Sequence, residues 1–177
     1  MSSLVKLSEA SVSNVGSVTL TGITSAFNVA VVYYSNVVPA TDSADLSFRF
    51  TQSGTENSNS NYQQLVSYPR SDRSFITNAG DNLGLAGRDK VGVTGSIHDG
   101  STSGGMGQIY ISSAADSAEI TYANIETSYV SSGGTQILLG QVSGAVLKET
   151  TAVDGIKIFF DSGNITSGDF VMYAIKE

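Results

Sequence analysis

Apolar and polar residues alternate with a period of two along short runs of this chain, and the runs are bounded by Gly, Ser, Asn and Asp. Side chains leave a strand alternately to its two faces, so this spacing predicts half-buried β-strands. Over residues 45–51, Leu46, Phe48 and Phe50 fall on one face and Ser47, Arg49 and Thr51 on the other. The same reading predicts strands over 15–20, 28–34, 62–68, 107–112, 118–125, 135–146, 153–161 and 169–176, about nine in all, with a further short one near 90–94. Helical periodicity is nearly absent. Residues 29–34 and 156–160 are apolar on both faces, which predicts central strands covered on two sides. Turn residues at 161–164 and 167–168 break the pattern near the end, and the last two strands are expected to pair antiparallel.

The expected fold is therefore all-β: an antiparallel, jelly-roll-like β-sandwich with long polar loops. Residues 1–14 read as an N-terminal arm and 15–177 as a single domain whose final strand is tied into a sheet. Two stretches lack strand patterning, the polar run TQSGTENSNSN at 51–61 and the glycine-rich 70–106, and both read as exposed loops of the kind that carry binding functions. No repeat of 20 to 50 residues is visible, which excludes the stacked rungs of a parallel β-helix.

Composition narrows function mainly by exclusion. Hydrophobic residues make up 40% of the chain, enough for a core, yet no run of ~20 apolar residues could cross a bilayer as a helix. Residues 1–16 carry a single Lys6 and no apolar core, so no cleaved export signal is expected. With no cysteine, there is no disulfide framework, thiol nucleophile or thiolate metal site. Nine scattered basic residues and a formal charge of −7 oppose the phosphate backbone, so neither nucleic acid nor membrane is an expected partner.

Candidate chemistry is sparse. His98 is the only histidine and would have to be the base of any Ser-His-Asp arrangement; followed by Asp99 and Gly100, it reads as a loop residue. The oxygen-rich runs 57–61 and 81–82 could ligate calcium, but neither has the spaced acidic pattern of a calcium loop. Asp42, Asp45, Asp161 and Asp169 stand at turns or strand ends, where Asp is favoured for local hydrogen bonds. GSTSGGMG at 100–107 lacks the Lys-Ser/Thr of a phosphate loop, and the sequon at Asn164 is read as a turn. Tyr33, Tyr34, Tyr110, Tyr122 and Tyr173 fall within strands as packing residues, leaving Tyr62, Tyr68 and Tyr129 as the freer candidates for an exposed contact. No catalytic, cofactor-binding or metal-ligating residue is assigned.

Three segments carry a family resemblance: TGITSAFNVAVVYYSNVVPATDSADLSFRFT at 21–51, GQIYISS at 107–113 and GIKIFFDSGNITSGDFVMY at 155–173. In this order they resemble structural proteins of tailed phages, marine ones especially, in which an apolar strand enters an N-x-x-P-A-T-D turn and the chain closes on G-I-x-x-x-F-x-S-G-N-I-x-S-G. The resemblance implies a non-enzymatic β-sandwich component of the virion, assembled in the bacterial host cytoplasm. It would sit on the particle exterior as capsid decoration or as a tail or fibre accessory. Other virion proteins and further copies of the chain are its expected partners. Rival expectations are a carbohydrate-binding module recognising host glycan through the loops and a small polysaccharide depolymerase, the latter disfavoured by the missing repeat and the single histidine.

Overall fold

The structure, a computed structural model, describes residues 3–27, 29–72, 82–132 and 136–176. These contain no helix and thirteen strands: β1 (Ser3–Val15), β2 (Val18–Thr21), β3 (Val29–Pro39), β4 (Ala44–Gln52), β5 (Thr55–Glu56), β6 (Tyr62–Ser67), β7 (Asn82–Arg88), β8 (Val91–Ile97), β9 (Gly105–Ser112), β10 (Thr121–Val130), β11 (Leu138–Leu147), β12 (Gly155–Phe160) and β13 (Ile165–Lys176). All pairings are antiparallel. The larger sheet runs β1-β13-β3-β9-β10-β11-β6-β7; the smaller runs β2-β12-β4, with β5 and β8 both along the far edge of β4.

Where period two is clean, the strands form as expected. In β10, Thr121, Ala123, Ile125, Thr127 and Tyr129 point inward while Tyr122, Asn124, Glu126 and Ser128 face solvent. The two inner faces share one core. Phe48 and Phe50 of β4, Leu20 of β2 and Ile156 and Ile158 of β12 meet Val32, Ile109, Ile111, Ile125 and Met172 from the larger sheet. Full burial of each such side chain contributes about 1.5–3 kcal/mol. Phe48 meets Phe50 edge-on at 5.2 Å along β4, and Tyr62 of β6 ties the sheets together by stacking on Phe50 at 6.2 Å.

Several expectations are corrected. Residues 1–14 are not an arm, because Ser3–Val15 is a strand of the larger sheet, paired with β13 along its length. Its signal is weak in the sequence because no residue of β1 is fully buried. The nine expected strands become thirteen, with β1, β5 and β7 added and 90–94 confirmed within β8. The last two strands do not pair with each other: β12 lies between β2 and β4, whereas β13 lies between β1 and β3. The turn at 161–164 thus crosses between sheets. Nor is 51–61 a free loop. β4 turns at Ser53 and Gly54, both at positive φ, into β5, the two-residue connection whose twist suits a hairpin. The carboxylate of Glu149 then holds the rest by accepting from Gln52 Nε2 at 2.9 Å, Asn61 Nδ2 at 3.0 Å and Asn57 Nδ2. Of the stretch 70–106, residues 82–88 and 91–97 are strands. Asn36, expected in a turn, sits at positive φ inside β3 where the register with β9 shifts, and the strand continues to Pro39.

The smaller sheet is completed by side chains from the larger one. On the far edge of β4, the Phe50 N–H donates to Tyr62 Oη at 3.0 Å, and that hydroxyl donates to Asn57 O at 3.0 Å. On β8, Gly92 N–H donates to Gln64 Oε1 at 3.0 Å, while Gly92 O accepts from Gln64 Nε2 at 2.6 Å and Gln141 Nε2 at 2.8 Å. Gly95 N–H donates to Tyr129 Oη at 2.9 Å. Burial disfavours the phenolate, holding Tyr62 well above the usual tyrosine range and pushing Tyr129 up to about 12.

Tyr62→Phe strands the Phe50 N–H and the Asn57 carbonyl in the interior, and a loss of about 1–3 kcal/mol is expected in urea unfolding. A Cβ on Gly155 would collide with the backbone carbonyl of Leu20 across the β12–β2 pair and with Thr51 Oγ1. Gly155→Ala is therefore expected to lower stability by about 1–3 kcal/mol, measured the same way.

Candidate functional site

The candidate residues that fall among the described ones make hydrogen bonds within the fold. His98 follows β8; its Nδ1 accepts from Gly100 N–H at 2.9 Å, and Nε2 lies 3.0 Å from the Gln136 amide nitrogen. Asp42 and Asp99 stand beside it, a grouping invisible in sequence because Asp42 comes from the turn after β3, but Asp42 accepts from Asp99 N–H at 3.3 Å. The other carboxylates, expected to bond locally at turns or strand ends, instead bond residues distant in sequence, and Asp169 lies within β13. Asp161 accepts from Asp45 N–H at 2.9 Å, and Asp169 accepts from Ser11 Oγ at 2.6 Å. Burial, aided by the charge of Asp161, raises the pKa of Asp45. Asn164 Nδ2 donates to Asn14 Oδ1 at 2.9 Å, a structural role at the sequon. Of the calcium candidates, Asn57 is committed to Glu149 and Gln52, and Asp81 lies outside the described residues.

The two outer faces differ sharply in chemistry. On the smaller sheet, Arg49 bridges Glu56 at 3.2 Å and Asp89 at 2.5 Å, Lys157 reaches Glu56 at 3.0 Å, and Arg49 lies 5.1 Å over the Phe159 ring. Phe159 is thus covered by cations rather than by another layer, which is how β12 is apolar on both faces. Lys157 and Arg49 hold the Glu56 carboxyl below its ordinary value, and Arg49 does the same to Asp89.

The larger sheet presents the opposite surface. Leu4, Tyr33, Leu65, Met106, Tyr110, Tyr122, Leu138 and Val142 are the exposed large apolar side chains among the described residues, and all eight lie on this one sheet. Strand register sets them in rows. Gly84, Leu65, Gly144, Asn124, Tyr110, Val31 and Tyr173 are successive cross-strand partners; Ala86, Gln63, Val146, Tyr122 and Ser112 form the next row, and Ser67, Val142, Glu126, Gln108, Tyr33 and Val171 another. As far as β13, Glu126 is the only charged side chain in these rows, and it accepts from Gln108 Nε2 at 3.0 Å; continued onto β1, the first and third rows reach Lys6 and Glu9, which pair with each other at 2.9 Å. Glycines leave hollows between the projecting residues. A groove of about 640 Å³ lies between Leu65 and Tyr122 over Gly144, and another of about 630 Å³ lies on the Val142 side of Leu65.

The tyrosine expectation holds for Tyr34, buried in the core, and is reversed for most of the others by this arrangement. Tyr62 and Tyr129 are buried and Tyr68 half-buried, while Tyr33, Tyr110 and Tyr122 are the exposed ones. A tyrosine at an even spacing reads as core or surface only once the register of its sheet is known. Against protein-family models, curated proteins and solved structures, the chain has no match, so the likeness to phage structural proteins rests on the three segments quoted above.

A pH dependence follows from the carboxylates. Glu56 and Asp89 have lowered folded-state values, so their contribution is present above the ordinary carboxylate range near pH ~4 and is lost as pH falls through the folded values. Arg49→Met keeps the stem over Phe159 and removes the charge; wild type should exceed it by up to ~1 kcal/mol at neutral pH, the gap closing below about pH 4 in urea titrations. Asp45 has the opposite sign. Its raised value makes Asp45→Asn a relative gain at neutral pH that vanishes on acidification.

Proposed function

We propose that the chain is a non-enzymatic structural protein of a tailed-bacteriophage particle. It assembles in the host cytoplasm, stands on the exterior as capsid decoration or as a tail or fibre accessory, and works through protein–protein contacts. The observation that carries the reading is the outer face of the larger sheet. All eight exposed large apolar side chains gather on this sheet, and a monomer rarely exposes a large apolar patch without a partner to cover it, which supports a protein contact there. His98 and the turn carboxylates each make hydrogen bonds within the fold, which supports a structural use for them.

We further propose that the fold is a jelly roll with added strands. Supporting this is the order β1-β13-β3-β9 against β2-β12-β4-β8, with successive strands crossing between sheets at β1/β2, β2/β3, β3/β4, β5/β6, β7/β8, β8/β9, β11/β12 and β12/β13. Strands β10, β11, β6 and β7 then extend the first group on one side. Double-sheet jelly rolls recur in viral capsid proteins and in lectins, so this architecture suits the proposal without selecting it.

A second reading, recognition of host-surface glycan, is favoured by one feature: the groove beside the exposed Tyr122 ring also presents the amides of Gln63 and Asn124. Quantitative mass spectrometry of purified particles separates the two. Many copies per virion are expected; absence from the particle would overturn the structural reading. Glycan-array binding that is lost in Tyr122→Ala would establish the second.

A further inference from the structure

We infer that the outer face of the larger sheet is where a second copy of this chain packs, sheet against sheet, about a two-fold axis. This rests on reading that face as a protein contact and names its partner. Area is the first argument. Eight strands ~4.8 Å apart, each presenting about six residues at ~3.4 Å, make a face of roughly 34 by 20 Å, near 700 Å². A standard stable interface takes about 800 Å² from each partner, so one such face meeting another is of the right size. A small ligand would fill one groove and leave most of the exposed apolar side chains in water.

Charge is the second argument. Two molecules that each carry a formal −7 repel, and they approach at least cost through the surface with the fewest charges. From β7 to β13 these rows carry only Glu126, already bonded to Gln108, and at the β1 edge Lys6 and Glu9 neutralise each other as an ion pair, whereas the opposite sheet carries the Arg49, Glu56, Asp89 and Lys157 cluster. Relief is the third. A two-fold contact uses one patch twice, so it must be its own complement. Leu65, 70% exposed, projects between Gly84 and Gly144, with a groove on either side of it. Projection and hollow therefore stand side by side on one surface, at the ~10 Å spacing over which packed sheets interdigitate their side chains.

Sedimentation equilibrium of the full chain over roughly 1–100 µM, the range in which an interface of this class would dissociate, tests the inference. A concentration-dependent dimer is expected. Leu65→Asp should raise the dimer dissociation constant at least tenfold, while Thr19→Asp on the outer face of the smaller sheet should leave it unchanged; both sites are exposed, and matching melting curves will confirm that both variants fold. A chain monomeric throughout, or a dimer that Leu65→Asp leaves intact or that Thr19→Asp weakens equally, overturns the inference. So does a monomer that binds glycan through Tyr122. A monomer still found in purified particles sinks the self-contact alone, whereas a dimer sensitive to Leu65→Asp but absent from particles sinks the virion reading alone.

Discussion

A sheet as narrow as the smaller one cannot satisfy its own backbone, and the way its far edge is closed organises the rest of the molecule. β4 is paired by β12 on one side, but on the other it meets only the short β5 and part of β8. The buried N–H of Phe50 and the backbone of Gly92 and Gly95 would cost about 1–3 kcal/mol each if left unpaired. Tyr62, Gln64, Gln141 and Tyr129 reach across from the larger sheet and supply the missing partners. The Gln64 amide does so as a strand would, accepting from the N–H and donating to the carbonyl of one residue, Gly92. Hydrogen bonds have stricter geometry than apolar contacts, so these anchors fix how one sheet lies over the other and hence the shape of the exposed face behind β6, β10 and β11.

The strands were legible where one face is core and the other water. Leu46, Phe48 and Phe50 announce β4, and the alternation of β10 is as clear in the chain as in the fold. β1 was missed because it has no deeply buried residue to mark its period, and β7, NLGLAGR, because its glycines blunt the apolar signal. Pairing was less legible than strand position. The turn residues at 161–164 suit a hairpin and an inter-sheet crossing equally well, since both need only a reversal of direction. The candidate surface was hidden for a related reason. Tyr122 and Tyr129 sit seven residues apart on one strand, one out and one in, and only parity with a known neighbour such as Ile125 tells them apart.

Two outer surfaces with contrary chemistry give the molecule a polarity. Ion pairs and cations over Phe159 keep the smaller sheet solvated, and its contacts with a neighbour would be screened by salt. The larger sheet offers shape and apolar area instead, which salt does not weaken. A protein built this way is suited to being held by one side and wetted on the other.

The position of β13 has a consequence for how the chain is made. It lies between β1 and β3, so β1 joins the larger sheet only through a strand synthesised long after it. Until β13 emerges from the ribosome, the amide rows of β1 and β3 that it will occupy remain open, and such edges invite pairing with neighbouring nascent chains. Folding of this topology waits on contacts distant in sequence, which makes it slow. Rapid synthesis at high copy number would therefore put a premium on keeping unfinished chains apart, a demand that net negative charge along an unfolded polymer helps to meet.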